Sequence, residues 1–442
     1  MSSRRLLICS PSHARQGGVE SAIDDLCHEL PKRGWETLLA LGQGSRFNDV
    51  GAYRNAYPDL AIKEIDGTKG TRQSRLESLR KVILEVQPDI VFSARVFDAY
   101  EVVTSLKQRH RTPRLAVGIG GYEPHYFYDV RLFKGNVDLC VVMGNLLGAA
   151  LTDWAGIDAS RVVSIPAGVR SPRGPSQPRD PGDILRIGYV GRLAQKDKSI
   201  LDMVPFLAQL EERGLAYHVS IVGDGPEAPV LRERLGSYVS NGRVTFCGWK
   251  DRSELYETVY PNLDSVVHFS PAEGVPIAGG EAMAHGVVPV ISQFIGLKTE
   301  RQYLHDFNSL VFKVGDVATA ADHMQRLASE PGLLRRLSEN AACSHAGKYT
   351  FDGAMDAWAD ALDRCMEQPP MMGAVPSLGL PKDGRLTRMG LSPGNAQRLR
   401  DLLGRRHVHN DPGSEWPTGS GLMPDDVAVE IMRFAADCED TK

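Results

Sequence analysis

At 442 residues the chain exceeds what one hydrophobic core usually serves, so two domains are expected. Hydrophobic residues at 42% and charged residues at 24% describe an ordinary globular protein, and a net charge of -4 argues against a dedicated nucleic-acid binder. Seven cysteines are scattered with no pair at metal-ligand spacing; Cys9, Cys140 and Cys247 lie in apolar strand-like runs, so a reducing cytoplasm is the expected compartment.

The opening Met-Ser-Ser-Arg-Arg leads into an apolar run that stops at Cys9, too short for a signal peptide, and no window approaches the roughly 18 apolar residues of a spanning helix. Strand and helix patterns then alternate almost throughout, the signature of α/β layers around parallel sheets. Leu6 to Cys9 reads as a buried strand, followed by the loop Pro11 to Gly18 and an amphipathic helix with Val19, Ile23, Leu26 and Leu30 on one face. Gly34 ends that helix, and strands are expected at 36–41, 89–92, 114–117, 139–142 and 162–165. Between them, Lys69, Arg72, Arg75, Arg80 and Lys81 put five positive charges on a loop and helix. With Glu77 and Glu85 interleaved, that is expected to be a solvated helix face; peripheral contact with an anionic membrane is the alternative.

Composition changes at Arg170 to Asp183 (RSPRGPSQPRDPGD), which has no apolar period and reads as an interdomain linker. The pattern then restarts, with strands expected at 186–190, 218–222, 244–247, 265–269, 287–291 and 310–312, a helix running to about Arg213, and another at 230–235. Two halves that each open with a buried strand and a glycine-containing turn predict two Rossmann-like domains. Ligands would gather at the carboxyl ends of the strands, in the cleft between the domains. From Met366 the chain loses its period; Gln368 to Pro393 is rich in Pro, Gly and Met. Helix candidates follow at 393–403, with Ser392 as N-cap and Pro393 at the first position, and at 425–435.

The densest chemical signal is Ser-Pro-Ala-Glu-Gly-Val-Pro-Ile-Ala-Gly-Gly-Glu-Ala-Met-Ala-His-Gly at 270–286. Glu273 falls in a strand-to-helix turn, Gly274, Val275, Pro276 and Ile277 lead into the helix, and Glu281 lies about two turns in. Backbone N–H groups at a helix start suit a diphosphate or sugar hydroxyls, and the small residues Ala278, Gly279 and Gly280 allow close approach. Taken one at a time, either glutamate is as well explained by capping or solvation. A second element is Gly191-Arg192 with Lys196 and Lys198, a basic strand-to-helix turn that suits a diphosphate. Lys198 is favoured because it directly precedes the helical run Ile200, Leu201, Met203, Val204. Third, Gly17 and Gly18 precede a helix in the first turn of the first domain, a weak phosphate-turn signal by itself. Gly223-Asp-Gly225-Pro-Glu-Ala228 formally fits a dinucleotide fingerprint, but Pro226 removes an N–H and Glu227 places negative charge beside a pyrophosphate.

Glu273 and Glu281, seven residues apart in this string, resemble the paired-glutamate motif of the large retaining glycosyltransferase family with the GT-B fold (family four, glycosyl transferases group 1). The resemblance covers most of residues 4–365. It implies an α/β chain of two Rossmann-like domains facing across a cleft, and excludes the C-terminal tail. With the linker and tail read from composition, the expected boundaries are an acceptor-side domain 1–169, a linker 170–183, a nucleotide-sugar-binding domain 184–348, a helix 349–365 crossing back to the first domain, and a partly disordered tail 366–442 with short helices. In similar enzymes the first glutamate, here Glu273, contacts donor-sugar hydroxyls and the second, here Glu281, binds the nucleotide ribose. The Arg–Lys pair, here Arg192 and Lys198, stabilises the departing diphosphate. Gly223 and Gly225 would form a wall of the nucleotide site, and Trp249 and Lys250 would stand beside the base. Many members carry histidine where this chain has Gly120; His125 and His13 are the candidate substitutes, with Tyr122 on the same acceptor side.

The implied activity is transfer of a hexosyl group from a nucleotide-diphosphate sugar, UDP favoured, to an acceptor hydroxyl with retention, without a metal or other cofactor. The expected partners are the donor and a sugar, lipid or small-molecule acceptor. The competing readings are a nucleotide-sugar-binding protein without transferase activity, and an epimerase or sugar phosphorylase on the same scaffold.

Overall fold

The computed structural model describes residues 4–14, 17–110, 113–172, 174, 179–180, 182–379 and 384–441. Residues 173, 175–178 and 181 of the expected linker, 380–383 of the expected tail, and 15–16 of the first loop lie outside the described residues. The chain divides into two compact units, one of residues 1–143, 147–165 and 355–434, the other of 144–146, 166–354 and 435–442.

The first unit is built on a parallel sheet of β1 (Arg4–Pro11), β2 (Trp35–Gln43), β3 (Ile62–Asp66), β4 (Ile90–Ser93), β5 (Arg114–Ile119), β6 (Leu139–Val142) and β7 (Val162–Ser164), in the order β3-β2-β1-β4-β5-β6-β7. Its central strands are apolar on both faces because helices cover both, and Leu6, Leu7, Ile8 and Cys9 are fully buried. The order reverses between β1 and β4, the point where such sheets open a crevice at their carboxyl ends. β3 was missed in the sequence because it is an edge strand: in Ile-Lys-Glu-Ile-Asp only Ile65 is fully buried.

The second unit repeats the plan with β8 (Leu185–Val190), β9 (Tyr217–Val222), β10 (Val244–Gly248), β11 (Ser265–His268), β12 (Val288–Ser292) and β13 (Leu310–Phe312) in the order β10-β9-β8-β11-β12-β13. Every pairing is parallel, and the core beneath includes Tyr189, Phe206, Phe269 and Phe312. Arg186 ties β8 to the residue preceding β11, its guanidinium donating to Asp264 at 2.6 Å. The helix expected to run to Arg213 is broken into Gln195–Lys198, a turn at Ile200–Asp202, and Met203–Glu212. Ser199 takes φ 47, and the chain restarts as helix just ahead of Pro205, which is tolerated only in a first turn.

Of the segment after 366, expected as a partly disordered tail, the described residues up to 434 belong to the first unit and 435–441 to the second. Helices form at Gly384–Arg388, Pro393–Leu402, Pro412–Glu415 and Asp425–Asp440, and Ser392 caps the second by accepting from the Asn395 amide at 3.3 Å. Trp416 is 1% exposed, and its indole fills the space that Gly42 and Gly67 leave open; a Cβ on them would approach it to 2.3 and 2.9 Å.

Candidate functional site

In the second unit, the chain reverses sheet direction between β8 and β11, so the loops that follow these two strands share one crevice. The loop after β8 carries Gly191 and Arg192; Tyr189 fixes it by donating its hydroxyl to the Arg192 carbonyl at 2.9 Å. The loop after β11 carries Glu273 and is held from three sides. Ser292 donates to the Ser270 carbonyl at 2.6 Å, the Ile295 amide to Pro271 at 3.1 Å, and the Tyr303 hydroxyl to Pro276 at 3.2 Å. Pro276 then caps the helix Ile277–Ala284, whose first ladder bond is Gly280 N–H to the Pro276 carbonyl at 3.1 Å. The amides ahead of that bond make the N-terminal turn, where anions are favoured. Gly279 has a structural reason to be glycine: a Cβ there would meet the Tyr303 hydroxyl at 2.2 Å.

The two loops are joined by an ion pair between Lys198 and Glu273, both side chains mostly buried. Lys196, by contrast, is exposed. Arg192 projects outward, 63% exposed, and pairs with Asp197. Below them His268, at the end of β11, is 6% exposed with no hydrogen-bond partner for its Nε2; burial, and secondarily the Lys198 charge, push its pKa down to about 3, so the ring is neutral. Nothing in the sequence marked His268, because a histidine ending an apolar strand looks like any core residue.

Glu281 is the second anchor. Its carboxylate accepts from the Tyr260 hydroxyl at 2.8 Å and the Tyr256 hydroxyl at 3.3 Å, and the Arg252 guanidinium stands 3.8 Å away. Burial and then the Glu281 charge drive both phenols well above their usual pKa, so they stay protonated as donors. His285 Nδ1 donates to the Glu281 carbonyl at 2.7 Å, and the ring lies 5.1 Å from that of Tyr260. Sequence reasoning missed these tyrosines, although Tyr256 and Tyr260 sit four apart in Leu-Tyr-Glu-Thr-Val-Tyr, a spacing that puts both on one helical face.

The Gly223–Ala228 string is packed against the loop after β8. A Cβ on Gly223 would lie 1.9 Å from the Gly191 carbonyl, and one on Gly225 2.4 Å from that of Leu193. Leu193 and Asp224 are joined N–H to carbonyl at 2.9 Å, and Glu227 donates back to Leu193 at 2.9 Å. These glycines therefore shape the crevice by supporting its first loop. Trp249 is 47% exposed, and Lys250 is engaged by Glu254 at 2.7 Å.

In the first unit, Gly17 adopts φ 149 and its carbonyl starts the helix Gly18–Glu29 by accepting from Ser21 at 3.0 Å; both glycines are exposed. Glu20 in the first turn pairs with Arg95, which follows β4 and takes the strained φ of 68. The His13 amide donates to the Asn48 side chain at 3.0 Å, and burial followed by the Arg95 charge lowers the pKa of its ring. His125 contacts Tyr126 and stands 3.7 Å from Glu123, with Gly419 packed against its ring. Tyr122 is buried and donates its hydroxyl to the Ile431 carbonyl at 2.9 Å, which makes it an anchor for the C-terminal segment. Gly120 is exposed; a Cβ there would meet only the flexible end of Met143, at 3.0 Å, so the backbone itself does not require glycine. Within the basic run, Lys69 pairs with Asp401, Arg72 with Glu101, and Arg75 with Asp98 in a buried bridge. Only the Arg75 pair is buried; Lys69 and its partner remain largely exposed. Among the described residues no helix is long and apolar enough to cross a membrane.

Comparison with known proteins bears on the same regions. The sequence profile of the family described as Glycosyl transferases group 1 matches residues 185–330. Alpha-D-kanosaminyltransferase of Streptomyces kanamyceticus is 30% identical over 184 residues, 39% of this chain and 43% of that protein. The chain thus spans under half the length of the first curated relatives it matches, at 43% and 46%. The lipopolysaccharide core biosynthesis glycosyltransferase LpsD of Rhizobium meliloti (strain 1021) is 21% identical over 79% of this chain and 96% of its own length. Among solved structures, Anabaena Alr3699/HepE in complex with UDP-glucose superposes with a TM-score of 0.65 at 17% identity, covering 81% of this chain and 99% of that one. Two Rossmann-like sheets of this order agree with the GT-B fold of the solved structures, and residues 185–330 are similar to the group 1 glycosyl transferases.

Proposed function

We propose that the chain is a retaining glycosyltransferase that moves a hexosyl group from a nucleotide-diphosphate sugar, with UDP as the nucleotide, to an acceptor hydroxyl. The observation that carries this reading is the convergence of Lys198 and Glu273 at the switch point of the second sheet, beside a helix N-terminus and with Glu281 seated further along the same helix. Glu273 would accept from donor-sugar hydroxyls and Glu281 from the ribose. Arg192 and Lys198 would hold the diphosphate and stabilise the charge that develops as it leaves. Each cation is matched by a carboxylate, Asp197 or Glu273, and donor phosphates would compete for both cations, leaving Glu273 to the sugar. The acceptor hydroxyl would enter on the face from which the diphosphate departs, a phosphate oxygen taking its proton, and no metal is assigned a role. UDP and UDP-glucose named in the solved Anabaena structures support the choice of nucleotide.

The test is release of UDP from UDP-sugars by the full chain, with and without a panel of sugar and lipid acceptors. Arg192→Ala should lower kcat/KM by roughly 10² to 10³, the scale of one lost transition-state contact. A variant with wild-type kinetics would remove Arg192 from the mechanism, and tight UDP-sugar binding without turnover would favour a binding protein instead.

A further inference from the structure

The loop after β2 closes around a single carboxylate supplied from the far end of the chain. Glu415 is 1% exposed. Its Oε1 accepts from the amides of Ser45 at 2.7 Å and Arg46 at 2.9 Å and from the Ser45 hydroxyl at 3.3 Å. Its Oε2 accepts from the amides of Phe47 at 3.0 Å and Asn48 at 2.9 Å and from Asn48 Nδ2 at 3.0 Å. Four consecutive backbone N–H groups converging on one point make an anion-binding concavity. Gly44 at its rim has to be glycine, since a Cβ there would lie 1.9 Å from Oε2. Burial opposes the charge, yet the bonds from Asn48, Phe47 and Arg46 outweigh it and hold the carboxyl pKa down to about 2. The same Asn48 side chain accepts, through Oδ1, the amides of Ser12 and His13 at 3.0 Å each. Both loops leave the carboxyl ends of their strands, where ligands of such sheets bind.

We propose that residues 44–48 form a binding site for a carboxylate anion, that this chain fills it with its own Glu415, and that the filled site positions the Ser12–His13 loop. Glu415 is a tethered occupant: the neighbouring Trp416, buried against Gly42 and Gly67, keeps the carboxylate at the site and closes it to external anions. Glu415 acts through Asn48 and is therefore a positioning residue.

The test uses Glu415→Ala in the full chain, with acetate as the probe and acetamide as its neutral counterpart. The variant should melt roughly 5–10 °C below wild type. Acetate should raise its melting temperature with a saturating concentration dependence, as a ligand of the native state does, while acetamide does not and wild type shows no saturable response. Equal effects of acetate and acetamide, or the same saturable response in wild type, overturn the proposal. Should Glu415→Ala not fold, Glu415→Gln keeps the shape: hydrogen exchange at the amides of 45–48 and of Ser12 and His13 should then speed by about tenfold, and unchanged exchange there overturns it. Neither donor nor acceptor enters these measurements, so their outcome is separate from that of the glycosyl-transfer reading.

Discussion

Replacing Tyr260 with Phe tests how Glu281 is held. The ring is fully buried and Phe fills the same space, so no cavity opens. What is lost is a donor at 2.8 Å from a carboxylate whose side chain is 8% exposed. A hydrogen bond to a buried charged acceptor contributes about 1.5–3 kcal/mol, and each kcal/mol shifts the melting temperature by roughly 2–4 °C for a domain of this size. Thermal unfolding followed by circular dichroism should therefore show a loss of roughly 3–12 °C. Tyr256→Phe should cost less, because its hydroxyl stands farther off, at 3.3 Å. A loosened Glu281 should also weaken UDP binding by about 2- to 10-fold in calorimetry. A Tyr260→Phe protein that melts within about 1 °C of wild type and binds UDP equally would refute the reasoning, since Glu281 would then owe neither its charge nor its position to that hydroxyl.

The remaining predictions concern pH and metal. Asp129 is 2% exposed, and burial raises its pKa from 3.8 to about 6 against the opposing bonds from Ser420. A raised carboxyl pKa contributes stability that is full below the unfolded value and lost as pH rises through the folded one. Relative to Asp129→Asn, wild type should thus lose about 3 kcal/mol between pH 4 and pH 7 in urea unfolding, and parallel profiles would contradict the assignment. With the diphosphate charge assigned to Arg192 and Lys198, UDP release should be unchanged by EDTA within about twofold; a tenfold loss restored by Mg²⁺ would place a metal in the mechanism.

The fold was legible where the physics is local. Buried parallel strands such as Leu139–Val142 and Leu310–Phe312 are continuous apolar runs, and strand and sequence boundaries coincide there. The edge strand Ile62–Asp66 was not, because two of its five residues, Glu64 and Asp66, are exposed and charged. The string Glu273 to Glu281 and the turn with Lys198 were singled out together with the family resemblance, and the ion pair that joins their loops follows from sheet order. Tyr260, His268 and Glu415 were not readable in their roles. Each gains its role from a partner distant in sequence: Glu281 for the tyrosine, Lys198 for the histidine, and the amides of 45–48 for the glutamate. The hydrogen bond of the Tyr122 hydroxyl to Ile431 was unreadable for the same reason.

The most direct measurement of the central claim is a calorimetric titration of the wild-type chain and Lys198→Ala with UDP, UDP-glucose and NAD. A saturable site for the uridine nucleotides at one per chain, weakened about tenfold or more in Lys198→Ala and absent for NAD, is the predicted result. Equal affinity in both proteins, or binding of NAD in place of the uridine nucleotides, would contradict a nucleotide-sugar site at the loops after β8 and β11.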